Sequence, residues 1–168
     1  MHAYDYDHLH GHSLVARKAT EGEVIQTLDS NDRTLADTML VIADADRPVG
    51  VAGVMGGADS EVSNETTTVV LEAAVFNGAS IRRTSRALGL RSEASGRFER
   101  GVNSEVTPLA LDRAAQLLLE ITPGATVAKG VIDVYPTAKE VRTVSFTSEA
   151  VNAYLGTNIA EEEMVSIL

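Results

Sequence analysis

The stretch Thr68-Val-Val-Leu-Glu-Ala-Ala-Val-Phe76 decides how the rest of the chain is organised. Read as a strand, it has one wholly apolar face, and its other face carries Glu72 between apolar neighbours. Such a strand is typical of a domain interior, where an ionised carboxylate is costly unless it is paired or hydrogen-bonded. The sequence leaves two partners open for Glu72: an arginine just downstream, in a structural salt bridge, or a bound ligand.

Length and composition describe one ordinary globular domain followed by a smaller remnant. The 168 residues are 44% hydrophobic, which is enough to build a core without disulfides or structural metals. No apolar run approaches the ~20 residues that span a bilayer, and no signal peptide opens the sequence, so we expect no membrane partner. The absence of cysteine fits a reducing compartment and predicts a cytoplasmic location.

The charge of the chain is unevenly distributed. A net charge of −10 argues against a protein that coats nucleic acid non-specifically. Residues 82–100 are nevertheless locally basic, because they hold six of the fourteen Lys and Arg residues, namely Arg82, Arg83, Arg86, Arg91, Arg97 and Arg100. The ordinary interpretation of such arginines on a helix is a face exposed to solvent.

All four histidines lie within the first twelve residues. On a strand, His8, His10 and His12 would share a face and could bind a metal ion. Gly11 and the neighbouring aspartates are more typical of a loop, and no residue pattern that would orient the imidazoles is evident. We therefore predict no metal ligand among the site residues.

Periodicity and turn residues predict a sheet in the first half of the chain. Two hairpins are expected, and their strands are residues 13–19 with 23–28 and residues 39–43 with 49–52. The turns would be Thr20-Glu-Gly22 in the first and Asp44-Ala-Asp-Arg-Pro48 in the second, with a polar turn at residues 29–32 between the hairpins. The predicted fold class is α+β, with a largely antiparallel or mixed sheet and packed helices.

Capping residues and apolar periodicity predict the helices. Asn77 can cap a helix that runs to about Leu88, and Ser104 can cap a longer one that ends near Ile121. Pro108 falls in the first turn of the longer helix, where its missing N–H does no harm. The apolar stripe of this helix is formed by Val106, Ala110, Ala114, Leu117, Leu118 and Ile121.

The C-terminal part predicts a second, truncated module. We expect strands at residues 126–135 and 141–146, a linker at residues 136–140, and helices at residues 148–155 and 160–168. The predicted domains are residues 1–137 and residues 138–168.

The stretch Gly50-Val-Ala-Gly-Val-Met-Gly-Gly-Ala58 is rich in glycine, and its other residues are small or apolar. It lacks the Lys-Ser/Thr of a P-loop and the glycine spacing of a dinucleotide site. Its glycines remove side chains that would block a close approach to the backbone. A tight turn between strands and a surface that a ligand contacts both remain consistent with the pattern.

Three ordered blocks carry a resemblance to a known family. They are Val51-Ala-Gly-Val-Met-Gly-Gly-Ala-Asp-Ser-Glu-Val62, Leu71-Glu-Ala-Ala-Val-Phe76 and Leu90-Arg-Ser-Glu-Ala-Ser-Gly-Arg-Phe-Glu-Arg-Gly-Val102. In this order they resemble the editing domain of the β subunit of bacterial phenylalanyl-tRNA synthetases. The resemblance extends from His2-Ala-Tyr-Asp5 to about residue 136, and the remainder resembles the start of the next module of that subunit.

The resemblance implies hydrolysis of tyrosine wrongly attached to phenylalanine tRNA. Carried over by position, the catalytic residues are His2, Gly53 and Gly56, and the substrate-binding residues of the editing pocket are Glu72, Ser92 and Ala94. In the family, the carboxylate aligned with Glu72 receives the hydroxyl of the tyrosine. A water would attack the ester with help from His2, backbone N–H groups of the glycine stretch and hydroxyls of the RNA 3′ end.

The resemblance also implies partners and cofactors. Phenylalanine tRNA, misattached tyrosine and the α subunit of the same synthetase are the expected partners. No cofactor is expected in this chain, whereas ATP and Mg²⁺ would bind elsewhere in the complete ligase. The family's domain begins before the His-Ala-Tyr-Asp motif, in a segment that adds an arginine and polar residues to the pocket, so we expect this chain to lack part of the pocket.

Two other functions compete with editing. In one, residues 82–100 contact tRNA phosphates or the partner subunit, and the chain is a non-catalytic docking or scaffold module. In the other, the histidines make a metal-binding protein, which metal analysis would exclude.

Overall fold

The computed structural model of the chain describes residues 1–135 and 143–168. These residues form two compact units, residues 1–127 and residues 128–168. The predicted linker at residues 136–140 and the first two residues of the strand predicted at 141–146 lie outside the described residues. The functional division into residues 1–137 and 138–168 stays a prediction.

The first unit contains eight short strands among its described residues. They are β1 (His2–Asp5), β2 (Val15–Lys18), β3 (Val24–Gln26), β4 (Asp32–Thr34), β5 (Leu40–Ala43), β6 (Pro48–Val51), β7 (Met55–Gly56) and β8 (Val69–Glu72). A four-stranded sheet has the order β2-β5-β6-β7, while β1 pairs with β8 and β3 with β4. Every one of these pairs is antiparallel. The α+β prediction with a largely antiparallel sheet is confirmed.

One of the two predicted hairpins is present. β5 pairs with β6, and Ile42 lies opposite Gly50. The turn between these strands is closed by Asp44, whose Oδ1 accepts hydrogen bonds from the backbone N–H groups of Asp46 and Arg47, both at 2.9 Å. A short polar side chain that bonds to backbone two or three residues ahead is a turn-forming contact, which explains why this hairpin could be predicted.

The other predicted hairpin is wrong, although both of its strands exist. β2 pairs with β5, and β3 pairs with β4 across the turn at residues 29–32. A turn does form at residues 20–23, where Glu23 N donates to Thr20 O at 3.0 Å, but the backbone on either side of it bonds to a distant segment and β2 does not pair with β3. Ala19 N donates to Met39 O, Gly22 N donates to Leu35 O, and Leu35 N donates to Glu23 O, at 2.8–2.9 Å.

Three helices complete the first unit, namely α1 (Gly78–Ala87), α2 (Glu93–Phe98) and α3 (Thr107–Ile121). Asn77 caps α1 as predicted, since its side chain accepts from Ser80 N at 3.0 Å. No helix was predicted from the sequence at the position of α2. Ser92 begins it with a capping box, because Ser92 Oγ accepts from Ser95 N and Ser95 Oγ accepts from Ser92 N.

α3 begins later than predicted. A 3₁₀ turn at Ser104–Val106 precedes it, and the side chain of Asn103, rather than that of Ser104, caps this turn. Pro108 lies in the first turn of α3, as predicted. The apolar stripe is not packed on a core, because no residue of α3 is buried and Ile121 is 73% exposed.

The second unit contains the two predicted helices, α4 (Ser148–Leu155) and α5 (Glu161–Ile167). The strand predicted at residues 126–135 is wrong, and residues 143–146 are not a strand either. A strand needs a neighbour for its backbone groups, and no described strand pairs with either segment. Ile132 is accordingly 94% exposed. None of the helices in the described residues is long and apolar enough to cross a bilayer.

The core of the first unit consists of two clusters that share β5. Side chains alternate along a strand, so Val41 joins one cluster while its neighbour Ile42 joins the other. Phe76 packs against both clusters at the end of the segment that contains β8. The segment predicted as one strand over residues 68–76 pairs only along β8, since its last residues bend into α1.

Two glycine-to-alanine variants should shift stability in opposite directions. A Cβ at Gly57 would lie 2.8 Å from the backbone oxygen of Val49, which cannot move aside, so Gly57→Ala should lower the free energy of unfolding by roughly 1–3 kcal/mol. Gly96 lies inside α2 with no atom near such a Cβ, so Gly96→Ala should raise it by roughly 0.5–1 kcal/mol. Urea denaturation of both variants checks the pair, and equal effects would contradict these assignments.

Candidate functional site

The pairing of β1 with β8 places His2 directly opposite Glu72. Directly opposed residues of an antiparallel pair extend to the same side of the sheet, so the imidazole and the carboxylate are neighbours. Tyr4 follows His2 by two residues and therefore shares that face. Its ring makes an edge-to-face contact with the His2 ring, with centroids 4.6 Å apart.

These three side chains line a cavity of about 70 Å³. Another wall is residues 50–56 of the glycine-rich segment, and Phe76, Ala94 and Phe98 also line the cavity. The cavity thus joins parts of the three blocks on which the resemblance is based. Five of the six residues assigned to the site by position line it, namely His2, Gly53, Gly56, Glu72 and Ala94.

The sixth assigned residue, Ser92, is not among the residues that line the cavity. Its hydroxyl donates to the backbone oxygen of Val54 at 2.5 Å and also caps α2. Ser92 therefore ties the first turn of α2 to the glycine-rich segment, so that Ala94, two residues further on, can reach the cavity.

The partner of Glu72 is a residue that sequence reasoning missed. The hydroxyl of Tyr4 donates to Glu72 Oε2 at 2.5 Å, across 68 positions of sequence. Among the described residues, no arginine forms an ion pair with Glu72, so the salt bridge, one of the two alternatives that the sequence left open, is not formed. The signal in the sequence was the spacing of His2 and Tyr4, which places both on one face of a strand, but the sequence did not reveal that this strand pairs with β8.

The glycines of the wall are required by close contacts. A Cβ at Gly56 would lie 2.5 Å from His2 Nε2, and the imidazole would have to move. Gly53 has a φ of 67°, in the left-handed region that favours glycine, and a Cβ there would meet the Phe76 ring at 3.0 Å. The stretch forms the turn between β6 and β7, and it also lines the cavity, so contact with a ligand stays a prediction.

Burial sets the protonation of the two ring side chains. Burial lowers the pKa of His2, and the charge of Glu72 opposes this in part. Burial also raises the pKa of Tyr4, and the charge of Glu72 and its hydrogen bond act in the same direction. At neutral pH the site therefore holds a neutral imidazole and a protonated phenol beside Glu72.

His2 Nε2 is buried and has no hydrogen-bond partner among the described residues. A buried nitrogen without a partner is uncommon, because losing its hydration costs roughly 1–3 kcal/mol. A neutral imidazole can accept a proton from a water or donate one to an oxygen. The site thus offers a proton-transfer group beside the hydrogen-bond acceptor Glu72.

The histidines at positions 8, 10 and 12 do not form a strand. They lie in two 3₁₀ turns, Tyr6–His8 and His10–His12. His10 Nδ1 contacts Asp46 Oδ2 at 2.8 Å, and the His12 ring stacks on Tyr6 with centroids 4.2 Å apart. Within residues 1–135 and 143–168, no group of three or more His, Asp or Glu side chains is placed to hold a metal ion.

The model of the B3/4 domain matches residues 1–123, and the chain belongs to the B3/4 domain family. Over its whole length it is similar to the phenylalanine–tRNA ligase β subunit of Moorella thermoacetica, with 55% identity over 168 residues, which cover 100% of this chain and 21% of that protein. The β subunit of Geobacter sulfurreducens is 48% identical over 167 residues, which cover 99% of this chain and 21% of that protein.

A third relative is the phenylalanine–tRNA ligase β subunit of Bacillus cereus. It is 49% identical over 164 residues, which cover 98% of this chain and 20% of that protein. The predicted resemblance is thereby confirmed. The chain spans about a fifth of the length of the curated relatives it matches.

The titration of His2 checks the electrostatics of the site. Because burial lowers its pKa, the imidazole should titrate below its ordinary value of 6.5, and Glu72→Gln should move the midpoint lower still by removing the charge that opposes burial. Histidine NMR shifts measured against pH would show both midpoints. A higher midpoint in Glu72→Gln would contradict this assignment of causes.

The same shift fixes the sign of a stability effect. Because folding lowers the pKa of His2, its contribution to stability is complete at pH values above the pKa of the unfolded state, about 6.5. This contribution is lost as the pH falls through the pKa of the folded state.

Proposed function

We propose that this chain is the part of a phenylalanine–tRNA ligase β subunit that hydrolyses tyrosine attached in error to phenylalanine tRNA. The observation that supports this most directly is the opposition of Glu72 and His2 across β1 and β8, above a wall of glycines. Glu72 can accept a hydrogen bond from a hydroxyl, and His2 can transfer a proton during hydrolysis of the ester. The tRNA, the α subunit and the ATP and Mg²⁺ of the complete ligase belong to the same proposal.

Glu72 would identify tyrosine by its hydroxyl. A carboxylate can accept about four hydrogen bonds, and Tyr4 uses one of them at Oε2. Glu72 Oε1 has no hydrogen-bond partner among the described residues and could accept from a substrate phenol. Phenylalanine would leave that acceptor desolvated and unpaired, at a cost of roughly 1–3 kcal/mol. A synthetic site rejects such a hydroxylated analogue by only ~10²-fold, so a ligase for phenylalanine benefits from a second selection step.

The substrate ring would lie against the apolar part of the lining. Phe76 and Phe98 have ring centroids 5.1 Å apart, and the small side chain of Ala94 lines the cavity with them. Aromatic rings pack favourably at centroid distances of roughly 4.5–7 Å, so the ring of a bound tyrosine can extend this pair.

Hydrolysis would use a water positioned at the ester carbonyl. The water oxygen attacks the carbonyl carbon, the bond to the ribose oxygen breaks, and that oxygen leaves with a proton. His2, neutral because of its burial, can take the proton of the water. The glycine stretch offers fewer donors for the oxyanion than predicted, because Val54 N already bonds Val51 O and Gly57 N bonds Val49 O, at 2.9 and 2.8 Å. Hydroxyls of the RNA 3′ end would supply the remaining hydrogen-bond donors.

A second candidate function is a docking module for tRNA. Arg82, Arg83 and Arg86 are exposed on α1, and none of them forms an ion pair with a described residue. In residues 82–100 the described ion pair is Arg97 with Glu93 at 3.6 Å, both largely exposed. Unpaired, exposed guanidinium groups suit phosphate contacts, which an editing domain would also need.

The role of Glu72 can be tested on the complete ligase. Glu72→Ala should reduce the hydrolysis of tyrosyl-tRNA while sparing that of phenylalanyl-tRNA, because it removes the acceptor for the hydroxyl and leaves the water and His2 in place. Losing a hydrogen bond to a charged group, worth ~1.5–3 kcal/mol, implies that the ratio of the two rates falls by roughly ten to a hundred and fifty fold. Single-turnover deacylation of both tRNAs measures the ratio.

Gly56→Trp is the matched control for Glu72→Ala. Its side chain would displace His2 and fill the cavity, so the variant should lose hydrolysis of both tRNAs alike. If Glu72→Ala instead lowered both rates equally, the carboxylate would act in catalysis or folding, and its assignment as the hydroxyl acceptor would be wrong.

The arginines can be tested separately from the cavity. Alanine at Arg82 and Arg83 should weaken tRNA binding uniformly and lower the slope of log K against log salt by about 1 for each phosphate that is no longer neutralised. The preference for tyrosyl-tRNA should stay the same. An unchanged salt slope would exclude α1 as a phosphate-binding surface.

A further inference from the structure

Tyr4 is the most deeply buried of the polar side chains that line the cavity. It is 1% exposed and belongs to the core cluster of Leu9, Ile42, Val49 and Ala52. Its backbone lies in β1, opposite Val70 of β8. The hydroxyl therefore has a position that the core determines, and it is from this position that it bonds Glu72 Oε2.

Glu72, in contrast, is only half-buried and has several rotatable bonds. A flexible acceptor must be ordered before it can select a ligand, and that ordering weakens selection. The described residues offer Glu72 one side-chain hydrogen bond, the one from Tyr4. Because burial raises the pKa of Tyr4, the phenol keeps its proton and remains a donor.

We propose that Tyr4 is a positioning residue for substrate selection, whose hydroxyl holds Glu72 Oε2 and so presents Oε1 to the phenol of the substrate. This inference rests on the proposed editing function. The substrate cannot take the place of Tyr4, since the Tyr4 ring lies in the core and would have to leave it. Two phenols thus share one carboxylate, one from the protein and one from the ligand.

The geometry distinguishes this role from catalysis. Tyr4 acts through Glu72, which reads the far end of the substrate side chain, whereas the ester chemistry is assigned to His2. Loss of the Tyr4 hydroxyl should therefore lower the rate with tyrosyl-tRNA more than the rate with phenylalanyl-tRNA and so reduce the preference between the two substrates.

The test is Tyr4→Phe in the complete ligase, measured as kcat/KM for deacylation of tyrosyl-tRNA and of phenylalanyl-tRNA. Phenylalanine keeps the ring in the core and removes only the oxygen. Freeing one side chain that had been immobilised should reduce the ratio by roughly two- to tenfold. Tyr6→Phe is the matched control, because the Tyr6 hydroxyl has no hydrogen-bond partner among the described residues, and it should leave the ratio unchanged.

A double-mutant cycle separates positioning from stability. In a Glu72→Ala background, Tyr4→Phe should cause no further change in the ratio, since there is no carboxylate left to position. A role in folding alone would lower both rates by the same factor in either background, and that result would overturn the inference. The aminoacylation rate of each variant reports whether the ligase is folded.

The outcomes for the two proposals are distinct. A wild-type ligase without preference for tyrosyl-tRNA would overturn the editing function itself. A wild-type preference that Tyr4→Phe retains in full would overturn the inference and leave editing intact.

If Tyr4→Phe does not fold, Glu72→Asp replaces it. The aspartate side chain keeps the charge but is too short to reach both phenols. An unchanged ratio in Glu72→Asp would equally overturn the inference.

Discussion

The antiparallel pairing of β1 with β8 is the constraint on which the site depends. It joins residue 2 to residue 72 and sets the register in which His2 faces Glu72. A slip of one residue would turn His2 and Tyr4 to the opposite side of the sheet and remove both from the cavity. Two contacts beyond the ladder hold the register, namely Tyr6 N with Thr68 O at 3.0 Å and Thr66 Oγ1 with Asp5 Oδ2 at 2.6 Å.

A pair of short strands has little stability on its own, so its neighbours must hold it. Tyr4 anchors β1 in one core cluster, and Phe76, four residues after the end of β8, packs against both clusters. The bond between Tyr4 and Glu72 therefore lies at the meeting point of the core and the cavity. Precision at the site follows from this arrangement, because the donor is fixed by packing and fixes the acceptor in turn.

The sequence predicted the elements whose causes are local. Asn77 caps α1, and the turn around Asp44 closes the hairpin of β5 and β6, because a side chain in each case bonds to backbone a few residues away. It failed where partners are distant. β2 and β3 were expected to pair across Gly22, but the backbone at that turn bonds to residues 35 and 39. Residues 126–135 were expected to form a strand, yet no described strand pairs with them.

The same distinction applies to the site. Periodicity identified Glu72 as a charged residue without polar neighbours on its strand, and the glycines indicated a backbone that other groups approach closely. Two sides of the cavity could therefore be inferred from local sequence. The partner of Glu72 could not, because Tyr4 reaches it across 68 positions and only through a pairing that no local pattern encodes. An acidic residue with no polar neighbour on its own strand thus predicts that a polar partner exists. Only the fold can show whether that partner comes from the protein, from a ligand or from both. Here the protein supplies a donor to one carboxylate oxygen, and the other has no hydrogen-bond partner among the described residues.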